Sequence, residues 1–523
     1  MQLTDIDDIE KATKRGRRET LRLGIGLLFV VAIMLYTGLT QNVSGEHGVM
    51  IVVAAMIGGY MAMNIGANDV ANNVGPAVGS RAISMAGAVV LAAVFEMAGA
   101  LIAGGDVVNT IQKGIINPAI VGDTERFIWL MTAALLAGAL WLNVATAFGA
   151  PVSTTHSIIG AVLGAGITAG GMQAANWATL SGIAASWVIS PVLGGVIAAG
   201  FLYWIKRSIT YQDDMVDAAR RVVPLLISLM AFAFSTYLVL KGLGKIWKVS
   251  LVTAVVIGIV AGSAVHLLMR KRMALRVTSL ENTKDSINTL FTIPLICSAA
   301  LLSFAHGAND VANAVGPLAA ISAAVNTGAV SAKASIPLWV MLVGASGIAI
   351  GLLLYGPKLI RTVGSEITEL DQMRAFCIAM SAAVTVIVAS QLGLPVSSTH
   401  IAVGGVFGVG FLREFLKSSY SQMIEEIKLH HAGEDKAVVE DFLDRFEAAG
   451  IAEKNAMLVR LKAHTENAQL SKAERKQIRK VYRHELVKRS TLLRIAAAWL
   501  VTVPVSAAIG AALYYLIFGI AHA

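Results

Sequence analysis

Asn68, Asp69 and Asn72 interrupt one apolar run of the chain, and Asn309, Asp310 and Asn313 interrupt another in the same order. Each trio sits in an eleven-residue stretch, Gly66-Ala-Asn-Asp-Val-Ala-Asn-Asn-Val-Gly-Pro76 and Gly307-Ala-Asn-Asp-Val-Ala-Asn-Ala-Val-Gly-Pro317, and the two differ only at Asn73 against Ala314. The plainer reading of either copy is a Gly/Asn/Asp/Pro turn between two spans. A carboxylate in an apolar surrounding is expensive, however, and two such copies favour a functional site. Carboxylate and amide oxygens are hard donors that suit sodium, with Asp69 and Asp310 as the metal-binding carboxylates. Alternatively each aspartate takes up and releases a proton.

A second pair of motifs carries hydroxyls. Pro151-Val-Ser-Thr-Thr-His156 and Pro395-Val-Ser-Ser-Thr-His400 place Ser153, Thr154 and Thr155, and Ser397, Ser398 and Thr399, directly before glycine-rich apolar runs. Ordinary helix capping accounts for Ser, Thr and Pro at such positions. The same free amides, backed by the helix dipole and by hydroxyl donors, also make a site for a tetrahedral oxyanion. An anion site beside a cation site couples the two. Phosphate and sulfate both fit hydroxyl and amide donors, and buried acceptors such as Asp69 and Asp310 favour phosphate, which still donates protons at neutral pH. His156 and His400 are expected as neutral, packed rings, because a helix N-terminus disfavours imidazolium. His306 precedes only the second acidic motif, where the first has Ile65, so a symmetric mechanism does not require it. Glu96 stands alone in an apolar run, as a cation ligand, a proton group or an interhelical hydrogen-bonding group. An intramembrane hydrolase using Ser153 or Ser397 would need one nucleophile and one base rather than a symmetric pair, so no enzyme is expected.

The elements that position these groups follow from composition. With 523 residues, 56% hydrophobic and 14% charged, the chain is too apolar for an ordinary soluble globule. Apolar runs near 22–40, 50–65, 84–103, 127–149, 157–170, 176–205, 222–240, 249–269, 287–305, 337–355, 374–393, 399–415 and 492–519 predict an all-α polytopic membrane protein of about 12 transmembrane helices. The run 157–170 is short enough to be re-entrant. The net charge of +9 is topological rather than a sign of nucleic acid. Basic clusters in the tail, in 206–221, 271–284 and 417–490 are separated by even numbers of runs, which puts all four, and the N-terminus, on the cytoplasmic side of the plasma (inner) membrane. Seven runs separate the two acidic motifs, so the halves are expected as inverted repeats with interrupted helices, whose sites form near the midplane. Gly66 to Pro151 spans 85 positions and Gly307 to Pro395 spans 88, as a duplication requires.

The expected organisation is a tail over 1–21, a first transmembrane half over 22–205, linking spans and loops over 206–285, a second repeat over 286–416, a cytoplasmic helical insertion over 417–490, and a terminal span over 491–523. That last span has no evident partner in the first half. The basic tail followed by an apolar run is read as a retained span rather than a cleaved signal. Cys297 and Cys377 lie in apolar runs with no metal or disulfide spacing, as packing residues.

The doubled Gly-Ala-Asn-Asp-Val-Ala-Asn with the doubled Pro-Val-Ser-(Ser/Thr)-Thr-His resembles the PiT family of inorganic phosphate transporters, over 50–205 and 286–416. Phe95-Glu96-Met97 and Lys113-Gly-Ile-Ile116 are family-like as well. The resemblance implies inverted repeats, uptake of inorganic phosphate coupled to sodium or protons, a homodimer in the lipid bilayer, and no cofactor beyond the coupling ion. It implies that the acidic and hydroxyl motifs line the substrate and ion sites. The Ala-Asn-Asp-Val-Ala-Asn form is more similar to the sodium-coupled branch. The tail and 417–490 lie outside the shared pattern.

Overall fold

The structure, a computed structural model, describes residues 3–41, 48–150, 152–242, 249–328, 336–366, 370–430 and 489–521. Among these the chain is helical apart from one isolated bridge between Ile116 and Ala175. The helices are α1 Leu3–Thr40, α2 Gly48–Gly79, α3 Met85–Ala103, α4 Gly105–Lys113, α5 Pro118–Val121, α6 Thr124–Ala147, α7 Thr154–Gly170, α8 Trp177–Ile205, α9 Met215–Lys241, α10 Leu251–Arg276, α11 Lys284–Thr289, α12 Thr292–Asp310, α13 Ala312–Thr327, α14 Leu338–Glu366, α15 Gln372–Gln391, α16 Ser398–His430 and α17 Arg489–Ala521. Eleven helical segments among the described residues are long and apolar enough to cross a membrane. The other two expected runs, 157–170 and 399–415, fall in α7 and in the first part of α16. At 17 residues α7 reaches about 26 Å, short of a hydrocarbon core of about 30 Å. Most of the insertion, 431–488, lies outside the described residues.

The acidic motifs were expected to break their helices; the first does not, and the second is interrupted at a single residue whose backbone stays in the right-handed helical region. α2 runs through Gly66–Pro76 without interruption, with Pro76 inside it, whereas α12 gives way to α13 at Val311, directly after Asp310. Both segments are buried along their length, and there the helical ladder is the backbone's main source of hydrogen-bond partners. Leaving the helix would orphan amides, so glycine's low helix propensity is overridden.

Glycine serves close packing instead. A Cβ on Gly66 would strike the carbonyl oxygen of Ile348, and one on Gly307 would strike that of Glu96. One turn along, Gly351 abuts the carbonyl of Met63 and Gly99 that of Phe304. Thus α2 lies on α14 as α12 lies on α3, backbone against backbone, the geometry that small residues permit between membrane helices. Over a longer stretch the numbers rise together, Gly59 against Val343 and Gly356 against Val70 in one pair, Gly99 against Phe304 and Gly104 against Val311 in the other, so the paired helices run in the same direction.

The same reciprocity extends to the C-terminus. Gly160 and Gly164 of α7 press on the carbonyls of Val503 and Ala507, while Gly404 and Gly408 of α16 press on those of Pro191 and Gly195. Trp187 and Trp499 occupy matching positions one turn earlier, each with its ring against a histidine. The terminal span expected to lack a partner is therefore the counterpart of α8. Its equivalence lies in contacts with the opposite half rather than in residue identity, and for that reason it is hidden in the sequence. Cys377 is buried as expected; Cys297 is exposed on the outer surface of α12 rather than packed.

Candidate functional site

All four motifs meet in one buried centre. Asn68, Asp69, Asn72, Ser153, Thr154, Thr155, Asn309, Asp310, Asn313, Ser397, Ser398 and Thr399 are each 5% exposed or less, in spite of their polarity. α2 and α12 carry the acidic motifs past the N-terminal ends of α7 and α16. Ser153 and Ser397 cap those two helices, each Oγ accepting from the backbone amide of the histidine three positions on at 3.2 Å. Capping turns the next hydroxyls toward the carboxylates. Thr154 Oγ1 donates to Asp69 Oδ2 at 2.7 Å, and Ser398 Oγ donates to Asp310 Oδ2 at 3.1 Å.

Cross-links between the halves complete the centre. Asn72 Nδ2 donates to Thr399 Oγ1 at 2.8 Å, and Thr399 Oγ1 in turn lies 3.2 Å from Asp69 Oδ1. Asn313 Nδ2 donates to both Thr154 and Thr155 at 3.2 Å, and Thr154 Oγ1 also reaches Asp310 Oδ2 at 3.4 Å. Each acidic motif is thus held by hydroxyls of both repeats. Asn68 and Asn309 point elsewhere, to Thr146 on α6 and to Ser390 on α15, both at 3.0 Å. With these amide nitrogens committed to hydroxyls, Asn68 Oδ1, Asn309 Oδ1, Asn313 Oδ1 and Asp310 Oδ1 have no hydrogen-bond partner among the described residues.

The centre departs from symmetry through a residue that the sequence reading set aside. His306 is fully buried, with Nε2 3.0 Å from Asp310 Oδ2 and 3.6 Å from Asp69 Oδ2, and Nδ1 3.4 Å from Glu96 Oε2. Asn73 Nδ2 donates to Glu96 Oε1 at 2.7 Å. At the related place in the other half stand Ile65 for His306, Ala314 for Asn73 and, by the glycine packing, Ile348 for Glu96. Three polar residues face one another on one side and three apolar residues replace them on the other. The available signal was that His306 and Asn73 are the departures from an otherwise repeated pattern.

His156 and His400 stand behind the hydroxyls as packed rings, as expected. They meet edge to face at 4.4 Å between centroids, with Trp187 on one at 3.7 Å and Trp499 on the other at 3.6 Å.

The chemistry of this donor set is specific. Asp69, Glu96 and Asp310 are three buried carboxylates, and the ion-pair partner they have among the described residues is His306. Unpaired buried charge is strongly unfavourable, so the centre calls for cations. Asp69, His306 and Asp310 each offer a ligand atom within 4.8 Å of the others, with the amide oxygens close at hand. Hydroxyls and two helix N-termini beside them suit an oxyanion.

Comparison with known proteins agrees with that pairing. Residues 65–510 match the phosphate transporter family. A protein of Helicobacter pylori (strain J99) is 53% identical over 98% of both chains, and one of Haemophilus influenzae is 35% identical over 71% of this chain and 90% of its own; each bears the name "Putative phosphate permease". A solved structure described as the sodium-dependent phosphate transporter superposes with a TM-score of 0.71 at 32% identity, covering 90% of this chain and 99% of that one. On the family match over most of its length and the identity to these relatives, the chain belongs to the phosphate transporter family.

Proposed function

We propose that the protein imports inorganic phosphate across the plasma membrane with sodium ions, by alternating access around the centre where the two halves meet. The observation that carries this reading is the set of three buried carboxyl groups, Asp69, Glu96 and Asp310, around His306 and beside hydroxyls and helix N-termini that suit an anion. Phosphate is held by the hydroxyls of Thr154, Thr155, Ser398 and Thr399 and by the amides at the starts of α7 and α16. Sodium is held by Asp69 and Asp310 with the amide oxygens of the four asparagines, as hard oxygen ligands. Neither ion is favourable there alone: phosphate would face like charge, and carboxylates without cations would be uncompensated. Binding is therefore coupled.

The reading includes halves inserted in opposite senses. It is supported by the direction of packing: α3 must return from α2 through the short turn at 80–84, and α12 runs alongside α3. α12 then opposes α2. A dimer in the bilayer is the assembly the family resemblance implies, and cross-linking in membranes tests it.

Proton coupling is a second reading, favoured by His306 between Asp310 and Glu96. Phosphate uptake into proteoliposomes, measured with an imposed sodium gradient and then with an imposed proton gradient alone, decides between the two. Uptake that follows sodium supports the first reading, and uptake indifferent to sodium overturns it. Excess sulfate, included in both arms, should leave phosphate uptake intact.

A further inference from the structure

A second group of cations lies far from the centre. Lys206, Lys284, Arg374 and Arg413 line a cavity of about 260 Å³ whose lining, among the described residues, holds one carboxylate, Asp371. That carboxylate is engaged by Arg374, with Nε and a terminal nitrogen both 2.7 Å from Oδ2, and it also caps α15 through Oδ1. Among the described residues the lining thus brings together two ammonium groups, Lys206 and Lys284, and two guanidinium groups around one carboxylate that already engages Arg374. Lys206 opens a π-helical turn, Lys206–Thr210, that extends α8 before the chain bends into α9. Lys206 Nζ stands 5.9 Å from the centroid of the Tyr211 ring, which also lines the cavity.

We propose that this cavity is a second anion site, separate from the transport centre, that takes a phosphate-bearing group: the headgroup of an anionic lipid, or free phosphate. Clustered cations raise the local concentration of anions, and guanidinium forks together with ammonium points match phosphate oxygens. The volume holds a headgroup-sized ligand rather than a chain. Apolar walls from Leu202, Ile287 and Met373 suit the glycerol end of a lipid, and basic pockets between membrane helices are places where acidic headgroups bind. Separation from the centre follows along α15. Ser390 bonds Asn309 of the centre, and Arg374 lies sixteen residues earlier, about 24 Å of helix away. The walls come from α8, α11, α15 and α16, so an occupant bridges both halves.

The test uses the purified full-length protein, delipidated in detergent, and the paired substitution Lys206→Gln with Lys284→Gln. Binding of short-chain phosphatidylglycerol, short-chain phosphatidylcholine and inorganic phosphate is measured for parent and variant. Tenfold or greater weakening of phosphatidylglycerol binding, with phosphatidylcholine unchanged, identifies a lipid headgroup. Loss of one of two bound phosphate equivalents, in the absence of lipid, identifies free phosphate. Equal binding of both anions by parent and variant overturns the proposal. Should the pair fail to fold, Lys284→Gln alone is read by the same criteria. Absence of sodium-driven uptake by the parent would overturn the transport reading without touching this result.

Discussion

Asn73 donates a 2.7 Å hydrogen bond to Glu96, and it does so from the one position at which the two acidic motifs differ. The difference is thus half of a pair whose other half, Glu96, is replaced by Ile348 in the related place. Replacing Asn73 by alanine leaves a buried carboxylate oxygen without its donor, a loss of about 1–3 kcal/mol. Asn73→Ala is expected to lower thermal stability in detergent and to raise the sodium concentration needed for half-maximal uptake. Ala314→Asn, which has no carboxylate opposite, is expected to destabilise without any change in sodium dependence.

Asp69→Asn and Asp310→Asn retain shape and remove the charge that offsets a bound cation. Net phosphate uptake is expected to collapse in both. Phosphate binding at saturating sodium should partly survive, because mass action forces cation occupancy at reduced affinity. Normal transport by both variants would remove the carboxylates from coupling.

The hydroxyls divide by role. Ser153 accepts a capping bond, so Ser153→Ala is expected to cost about 1 kcal/mol of stability with a small change in phosphate affinity. Thr154 touches both aspartates. Thr154→Val removes a donor to a charged ligand and should weaken phosphate binding by about ten- to a hundredfold. Equilibrium binding of labelled phosphate separates the two, and equal effects would reduce both residues to helix capping.

His306 tests the choice of coupling ion. Under sodium coupling, His306→Gln keeps a polar group between Asp310 and Glu96, and uptake driven by sodium should persist at a reduced rate. Abolished uptake, together with a parent that responds to an imposed proton gradient, would instead assign His306 to proton transfer.

Insertion is checked by labelling single cysteines with an impermeant thiol reagent, in a background lacking Cys297 and Cys377. Asp213 is exposed in the connection between α8 and α9, and Thr327 is exposed at the C-terminal end of α13. A cysteine at Asp213 should react only from the cytoplasm and one at Thr327 only from outside. Reaction of both from one side would break the opposed arrangement of the halves.

Much of this protein was legible in order along the chain. Apolar runs of spanning length show an all-helical membrane protein, because twenty residues of hydrocarbon character have few other stable environments. The repeated acidic and hydroxyl motifs show a duplicated polar centre, because their cost in lipid is paid locally and is visible residue by residue. Other features depend on distance in sequence and came only from the tertiary structure. Thr399 lies 330 positions from the Asp69 it bonds, and His306 lies 210 positions from Glu96. No periodicity links such residues; helix crossings do. The uninterrupted path of α2 through its motif was likewise decided by burial, which overrides glycine's preference for turns. The equivalence of α17 and α8 rests on glycines of the opposite half against their backbone carbonyls, a contact made mainly by main chain, which leaves no repeated run of side chains to read in the sequence.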